Sequence, residues 1–304
     1  VTEELFIEGI VAKDPIYNII RDEKNDSYIV EVRSFAQELW QTYSPYADTD
    51  FRQQIQVDFH ARFWEMYLTC TFLKASLSVI SRDKGRDRGP DILIENQACR
   101  IWVEAIAPTS GADENPDRVP DFRHGVATRI PDEQIVLRYR SAISEKFDYK
   151  YHNYLATGVV SSSDPYVIAI NSCRIKAAIA DSDPPRILKA VFPIGYQKVT
   201  INKQTKEIID SGFEFRPTVE RRSGAQISTD LFLNPAYENL GGILFSRASV
   251  NHLIKGLGED FIFIHNPLAK NPIPPGFFKF GREYTAQEGL ENHIITYKDW
   301  STDD

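Results

Sequence analysis

Cysteine is scarce in this chain. Cys70, Cys99 and Cys173 are its three, set far apart, with no C-x-x-C pair and no histidine spacing suited to zinc. That excludes a disulfide framework and a structural zinc site. It leaves each thiol to pack as a small apolar residue and suits a reducing, cytoplasmic setting. No run of about 18 apolar residues occurs, so no membrane-spanning helix is expected. The acidic opening VTEELFIEGIVAKD lacks the apolar core of a signal peptide. G-x-S-x-G, P-loop and G-x-G-x-x-G motifs are missing, which removes motif support for a hydrolase elbow or a nucleotide cradle. Neither internal repeats nor low-complexity tracts are found. Cations are outnumbered, with a net charge of −8. A general nucleic-acid coat is excluded on that ground, and an enzyme acting on nucleic acid would need a local basic patch.

What is present is an ordinary core-forming composition, 42% hydrophobic and 26% charged. Residues 28–32 (YIVEV) fit a helix or a strand, and 34–43 (SFAQELWQTY) a helix capped by Ser34. The strongest helical periodicity covers 51–74, where Phe59, Phe63, Met66, Cys70 and Leu73 recur at three- and four-residue steps. That segment is apolar nearly all round, the signature of a buried helix. Glu65 sits in its middle. Arg62 at i−3 would neutralise it on a narrow wet face; the alternative is an acid aimed at a site, since carboxylates rarely sit among aromatics without a partner.

Residues 76–81 (SLSVIS) read as a strand. A charged loop, RDKGRDR, and a Gly89-Pro90 turn follow. Then comes the stretch on which function turns: Asp91 opening ILIE, a turn at NQA, and a strand CRIWVEAIA carrying Glu104 and ending at Pro108. Residues 109–132 have no periodicity and read as a long loop of the kind that is functional or disordered. A long helix runs from 133 to about 156, capped by Asp132, with Ile135, Tyr139, Ala142, Lys146 and Tyr149 in one line. YVIAIN after Asp164-Pro165 is a strand buried on both faces. A hairpin is expected from 198–202 and 207–215. Short buried strands are expected at 242–245 and 261–264, with a short surface helix over 250–256.

A Glu-bearing helix, a strand entered through GPD, a strand ending in a carboxylate, then a helix and a strand: this order over residues 55–171 resembles the PD-(D/E)XK nuclease superfamily. The resemblance implies an α/β (mixed α+β) fold with a restriction-endonuclease-like core, in which a central mixed sheet is flanked by helices. On this division residues 1–54 are an N-terminal helical segment, 55–175 the core and 176–304 a strand-rich C-terminal extension packed on it as one unit. It implies a metal-dependent nuclease hydrolysing phosphodiester bonds, most naturally of DNA, with Glu65, Asp91 and Glu104 as ligands to Mg²⁺ or Mn²⁺. Mg²⁺ is commonly held by one or two carboxylates plus substrate phosphate, which suits such a set.

One position departs from the pattern. Ile106 stands where the family's tripeptide carries lysine. Either the cation has moved to the following helix, where Lys146 is the candidate catalytic residue and Arg138 and Arg140 are weaker ones, or the site binds without cutting. A desolvated Lys146 would have its pKa drawn downward. Arg82, Lys84, Arg86 and Arg88 before Asp91, with Arg118, Arg123, His124 and Arg129 after Glu104, would form a positive rim for phosphate; Arg216, Arg221 and Arg222 could add to it. As solvated loops, with Asp83, Asp87, Asp117 and Asp121 interspersed, they would do little. His265 could reach a site or fix the turn after its strand. The rival expectation is a nuclease-like module that binds nucleic acid or a protein partner without catalysis. A third is an assembly protein whose aromatic residues, 12% of the chain, serve an oligomer interface; a homodimer is left open.

Overall fold

Aspartates open the first two helices. In the computed structural model, which describes residues 3–81, 89–95, 100–121, 125, 129–250, 256–288 and 293–302, Asp14 accepts the backbone N–H of Ile16 ahead of α1 (Pro15–Asp22). Asp26 accepts the N–H of Tyr28 at 2.9 Å and begins α2 (Ser27–Tyr43). YIVEV therefore belongs to this helix, and Ser34 is not its cap: it lies mid-helix with Oγ donating to Val30 O. A side-chain acceptor satisfies N–H groups that the helix leaves free, so Asp26→Ala should cost about 1 kcal/mol in chemical denaturation. Ser34→Ala should leave the midpoint in place.

The expected helix over 51–74 is two helices, α3 (Phe51–Gln54) and α4 (Phe59–Lys74). The break falls where two acids take up the free N–H groups that open α4: Asp58 accepts from Ala61 and Asp14 from Phe59. Next come β1 (Val79–Ile80), β2 (Ile92–Glu95) and β3 (Arg100–Ile106). After the long loop, α5 (Asp132–Ser144) passes into a π-helical turn, Glu145–Tyr151, and then α6 (His152–Ala156). Asp132 does not cap this run. It stands in the first turn behind Pro131, drawn away by Arg186 and Lys189.

The remainder is β4 (Tyr166–Asn171), α7 (Arg186–Val191), a hairpin of β5 (Ile194–Ile201) and β6 (Ile208–Phe215), a smaller one of β7 (Thr218–Glu220) and β8 (Gln226–Ser228), then β9 (Leu240–Ser246), β10 (Ile262–His265), β11 (Arg282–Glu288) and β12 (His293–Asp299). The helix expected over 250–256 falls largely on 251–255, outside the described residues.

Eight strands form one mixed sheet in the order β1-β2-β3-β4-β9-β10-β11-β12. β2 and β3 are antiparallel, while β3, β4 and β9 run parallel through its centre. Strands from the extension thus share the sheet of residues 55–171. Strand alternation sends side chains to two separate cores. Val103, Val167, Ala169 and Leu244 join Phe59, Phe63, Trp64 and Leu68 of α4 on one face. Trp102, Ile168, Ile170 and Phe245 join α5 and α7 on the other. Helices cover both faces of a mixed sheet, so the class is mixed α/β. Among the described residues, no helix is long and apolar enough to cross a membrane.

Candidate functional site

Register alone brings the two hairpin acids together. Ile92 pairs with Val103, so the antiparallel ladder continued by one residue sets Asp91 opposite Glu104. Asp91 Oδ2 accepts the backbone N–H of Ala105 at 2.7 Å, which fixes its carboxylate at the end of β3. Glu104 is 2% exposed. Burial, and then the charge of Asp91, push its carboxyl up to about 7, against the pull of Lys146 and Lys150. Two acids repelling one another in a desolvated hollow create a strong local demand for positive charge.

Lys146 supplies part of it. Its Nζ lies 2.7 Å from Glu104 Oε1, and the side chain is buried. The residue reaches the acid from the π-helical turn, a deviation from α geometry frequent at functional sites. Burial presses the ammonium toward neutrality, but Glu104 and Asp91 outweigh it and hold its pKa above the ordinary value. The expected downward shift is therefore reversed, because the acids that attract the lysine also keep its proton. Lys150 stands 4.0 Å from the same oxygen, half-exposed, and Tyr154 Oη is 3.3 Å from Glu104 Oε2. Residues 146, 150 and 154 are spaced by four, and that spacing could have flagged Lys150 and Tyr154 beside Lys146.

Glu65 enters the same hollow from α4. One carboxylate oxygen accepts from Tyr43 Oη at 2.8 Å and the other from Arg62 Nη1 at 2.7 Å. Both readings of this residue hold a part of the truth: it is neutralised by Arg62, yet it is 3% exposed and lines the cleft rather than a wet face. The cleft has a volume of about 700 Å³, and Arg62, Glu65, Asp91, Glu104 and Lys146 line it.

The donors fit a hard divalent cation at two carboxylates better than at three. Asp91 and Glu104 are oxygen donors in mutual repulsion, which such an ion would relieve. Among the described residues, no three of His, Cys, Asp and Glu are grouped as a metal cluster. Glu65 has both carboxylate oxygens taken, by Tyr43 and by Arg62.

The other expected cations are dispersed. Arg138 donates to Thr109 O and Arg140 to Ser228 O, so neither stands in for the missing lysine. Arg100 pairs with Glu95 across the hairpin. Arg118 is held by Asp113 and Asp121, Arg216 by Glu133, and Arg221 lies 4.0 Å from Asp117. Arg129 lines a separate hollow with Asp132 and Tyr196. Arg82, Lys84, Arg86, Arg88, Arg123 and His124 lie outside the described residues. His265 is structural: its Nε2 meets Glu283 Oε1 at 2.7 Å, and Glu283 also accepts from Gly276 N and Trp300 Nε1.

Sequence reasoning missed Arg174. It pairs with Asp58 at 2.9 Å and lines the cleft from the turn after β4. The available signal was its position just past a doubly buried parallel strand, where sites on open α/β sheets gather. Comparison with models of known families, with curated proteins and with solved structures finds no match. The chemistry of the cleft therefore has to be argued from its own geometry.

Proposed function

We propose that this protein is a divalent-metal-dependent phosphodiesterase acting on nucleic acid, most naturally DNA, built on a divergent PD-(D/E)XK nuclease plan. The observation that supports this most is the contact of Lys146 Nζ with Glu104. It supplies from the following helix the cation that Ile106 cannot.

In this reading Asp91 and Glu104 hold Mg²⁺ or Mn²⁺. Bound there, such an ion would polarise the scissile phosphate and lower the pKa of a water. The rest falls to the chain itself. Ala105 N–H orients Asp91. Lys146 remains an ammonium and so offsets charge growing on phosphoryl oxygens rather than taking a proton from water. Arg62, paired with Glu65 and within the field of Asp91, sets a guanidinium donor on the cleft wall. A cytoplasmic location accords with the sparse cysteines.

Asp91→Ala should abolish calorimetric Mn²⁺ binding and cleavage together while the circular dichroism spectrum stays that of the wild type. Unchanged Mn²⁺ binding in this variant would remove the ligand assignment. A second reading, a nucleic-acid or protein-binding module without catalysis, draws on one observation: Lys146 and Glu104 already neutralise each other. Incubation with plasmid, single-stranded DNA and RNA, in Mn²⁺ and in EDTA, separates the two. Binding without metal-dependent cutting on every substrate selects the second.

A further inference from the structure

The acidic cleft does not end at Arg174. That residue also lines a second hollow of about 500 Å³. Its walls are the segments that follow three central strands: Thr109 to Gly111 after β3, Ser172 to Lys176 after β4, and Arg247 with Ser249 after β9. β3, β4 and β9 are parallel, so all three deliver their ends to one side of the sheet. The crevice beyond the carboxyl ends of parallel strands is where open α/β sheets take ligands.

Its charge is the reverse of the protein's. Arg118, Arg174, Lys176 and Arg247 line it against one carboxylate, Asp121, in a chain of net charge −8. Arg118 and Arg174 are engaged by Asp121 and Asp58. Lys176 and Arg247 form no ion pair among the described residues; the Arg247 side chain is tied through Nη1 to Ile179 O at 2.8 Å. His60 and Cys173 also line the hollow. Cys173 Sγ lies 3.6 Å from His60 Nδ1, and burial pushes the thiol up to about 12 and the imidazole down. A thiol and an imidazole that both stay uncharged add no carboxylate to repel an anion and no thiolate to attack one.

We infer that this second hollow is a phosphate-binding subsite that seats the backbone of the nucleic-acid strand beside the bond lying at Asp91 and Glu104. The inference rests on the phosphodiesterase reading for its ligand, and on the hollow's own cations for its chemistry. Backbone phosphates are recognised by fixed cations without reference to base identity, so the subsite contributes affinity and register rather than sequence choice.

The test is fluorescence anisotropy with a short single-stranded DNA oligonucleotide in EDTA, over a salt series, on the full chain. Lys176→Ser combined with Arg247→Ser should weaken binding roughly tenfold at low salt and flatten the slope of log K against log salt by about 1.4, the share of two phosphate contacts on a single strand. In Mn²⁺ the same variant should raise KM and leave kcat in place. Lys198→Ser with Lys203→Ser, on the exposed β5–β6 hairpin, is the charge-matched control and should change neither. Wild-type affinity and slope in the Lys176/Arg247 variant would overturn the subsite even while cutting continued, as would failure of the wild type to bind the oligonucleotide. Binding that depends on Lys176 and Arg247 but is never followed by cutting would keep the subsite and remove the phosphodiesterase reading.

Discussion

Lys146→Met is expected to lower metal-dependent cleavage by about 10²–10³-fold, the usual loss when one preorganised electrostatic donor is removed. Methionine keeps the length of the side chain and discards the charge. Lys150, 4.0 Å from Glu104 and half-exposed, is too distant and too hydrated to take over, so Lys150→Ala should cost far less. The fold should survive. Removing one partner of a buried pair is severe when the other must stay charged, but burial and Asp91 have already pushed Glu104 up to about 7. Glu104 can take up a proton instead. Single-turnover cleavage in Mn²⁺, read beside thermal unfolding, separates these effects. An unchanged rate would remove Lys146 from the catalytic machinery and leave it a counter-ion to Glu104.

Asp132→Ala should destabilise the protein by about 3–5 kcal/mol, the range for breaking a buried ion pair from one side. Arg186 Nε reaches Asp132 Oδ1 at 2.6 Å and Lys189 Nζ reaches Oδ2 at 3.3 Å; both cations are 3% exposed. Arg186 would keep Asp181 and Ala180 O. Lys189 would keep the face of Tyr196, 4.8 Å away. Differential scanning calorimetry should show a fall on the order of 10 °C. The pH dependence has a defined sign. Burial alone would raise the Asp132 carboxyl, but Arg186 and Lys189 outweigh it and hold its pKa below the ordinary value. The stabilisation is present in full above the unfolded carboxylate value of about 3.9 and is lost as pH falls through the lower folded value. Asp132→Asn should therefore remove part of the acid limb of the wild-type melting profile. Parallel limbs in the two proteins would show that Asp132 is not held as an anion.

Asp132 also illustrates how a local rule yields to tertiary contact. An aspartate ahead of an apolar-periodic run is a sound capping signal, and at Asp26 an aspartate does cap. At 132 two cations from α7, 54 and 57 residues further on, compete for the same carboxylate and win, because a buried charge gains more from buried opposite charge than from one N–H group.

Much is legible in the sequence itself. The order of elements from 55 to 171, the placing of Asp91 and Glu104 on neighbouring strands, and the two-sided burial of YVIAIN all follow from patterns between near neighbours. Alternation and three- or four-residue spacing fix which way side chains point, whatever the rest of the chain does. Only the tertiary structure decided what non-local packing decides. REYTAQE and HIITYKD carry too mixed a pattern to declare themselves, yet they complete one side of the sheet as β11 and β12. β9 enters beside β4 from about seventy residues downstream and delivers Arg247 to the hollow that Arg174 shares with the acids. Lys146 could be named as a candidate from its place in a helical line. Its contact with Glu104 needed the π-helical turn and the packing of α5 against the sheet, and so did the sign of its pKa shift, which depends on charges from other strands.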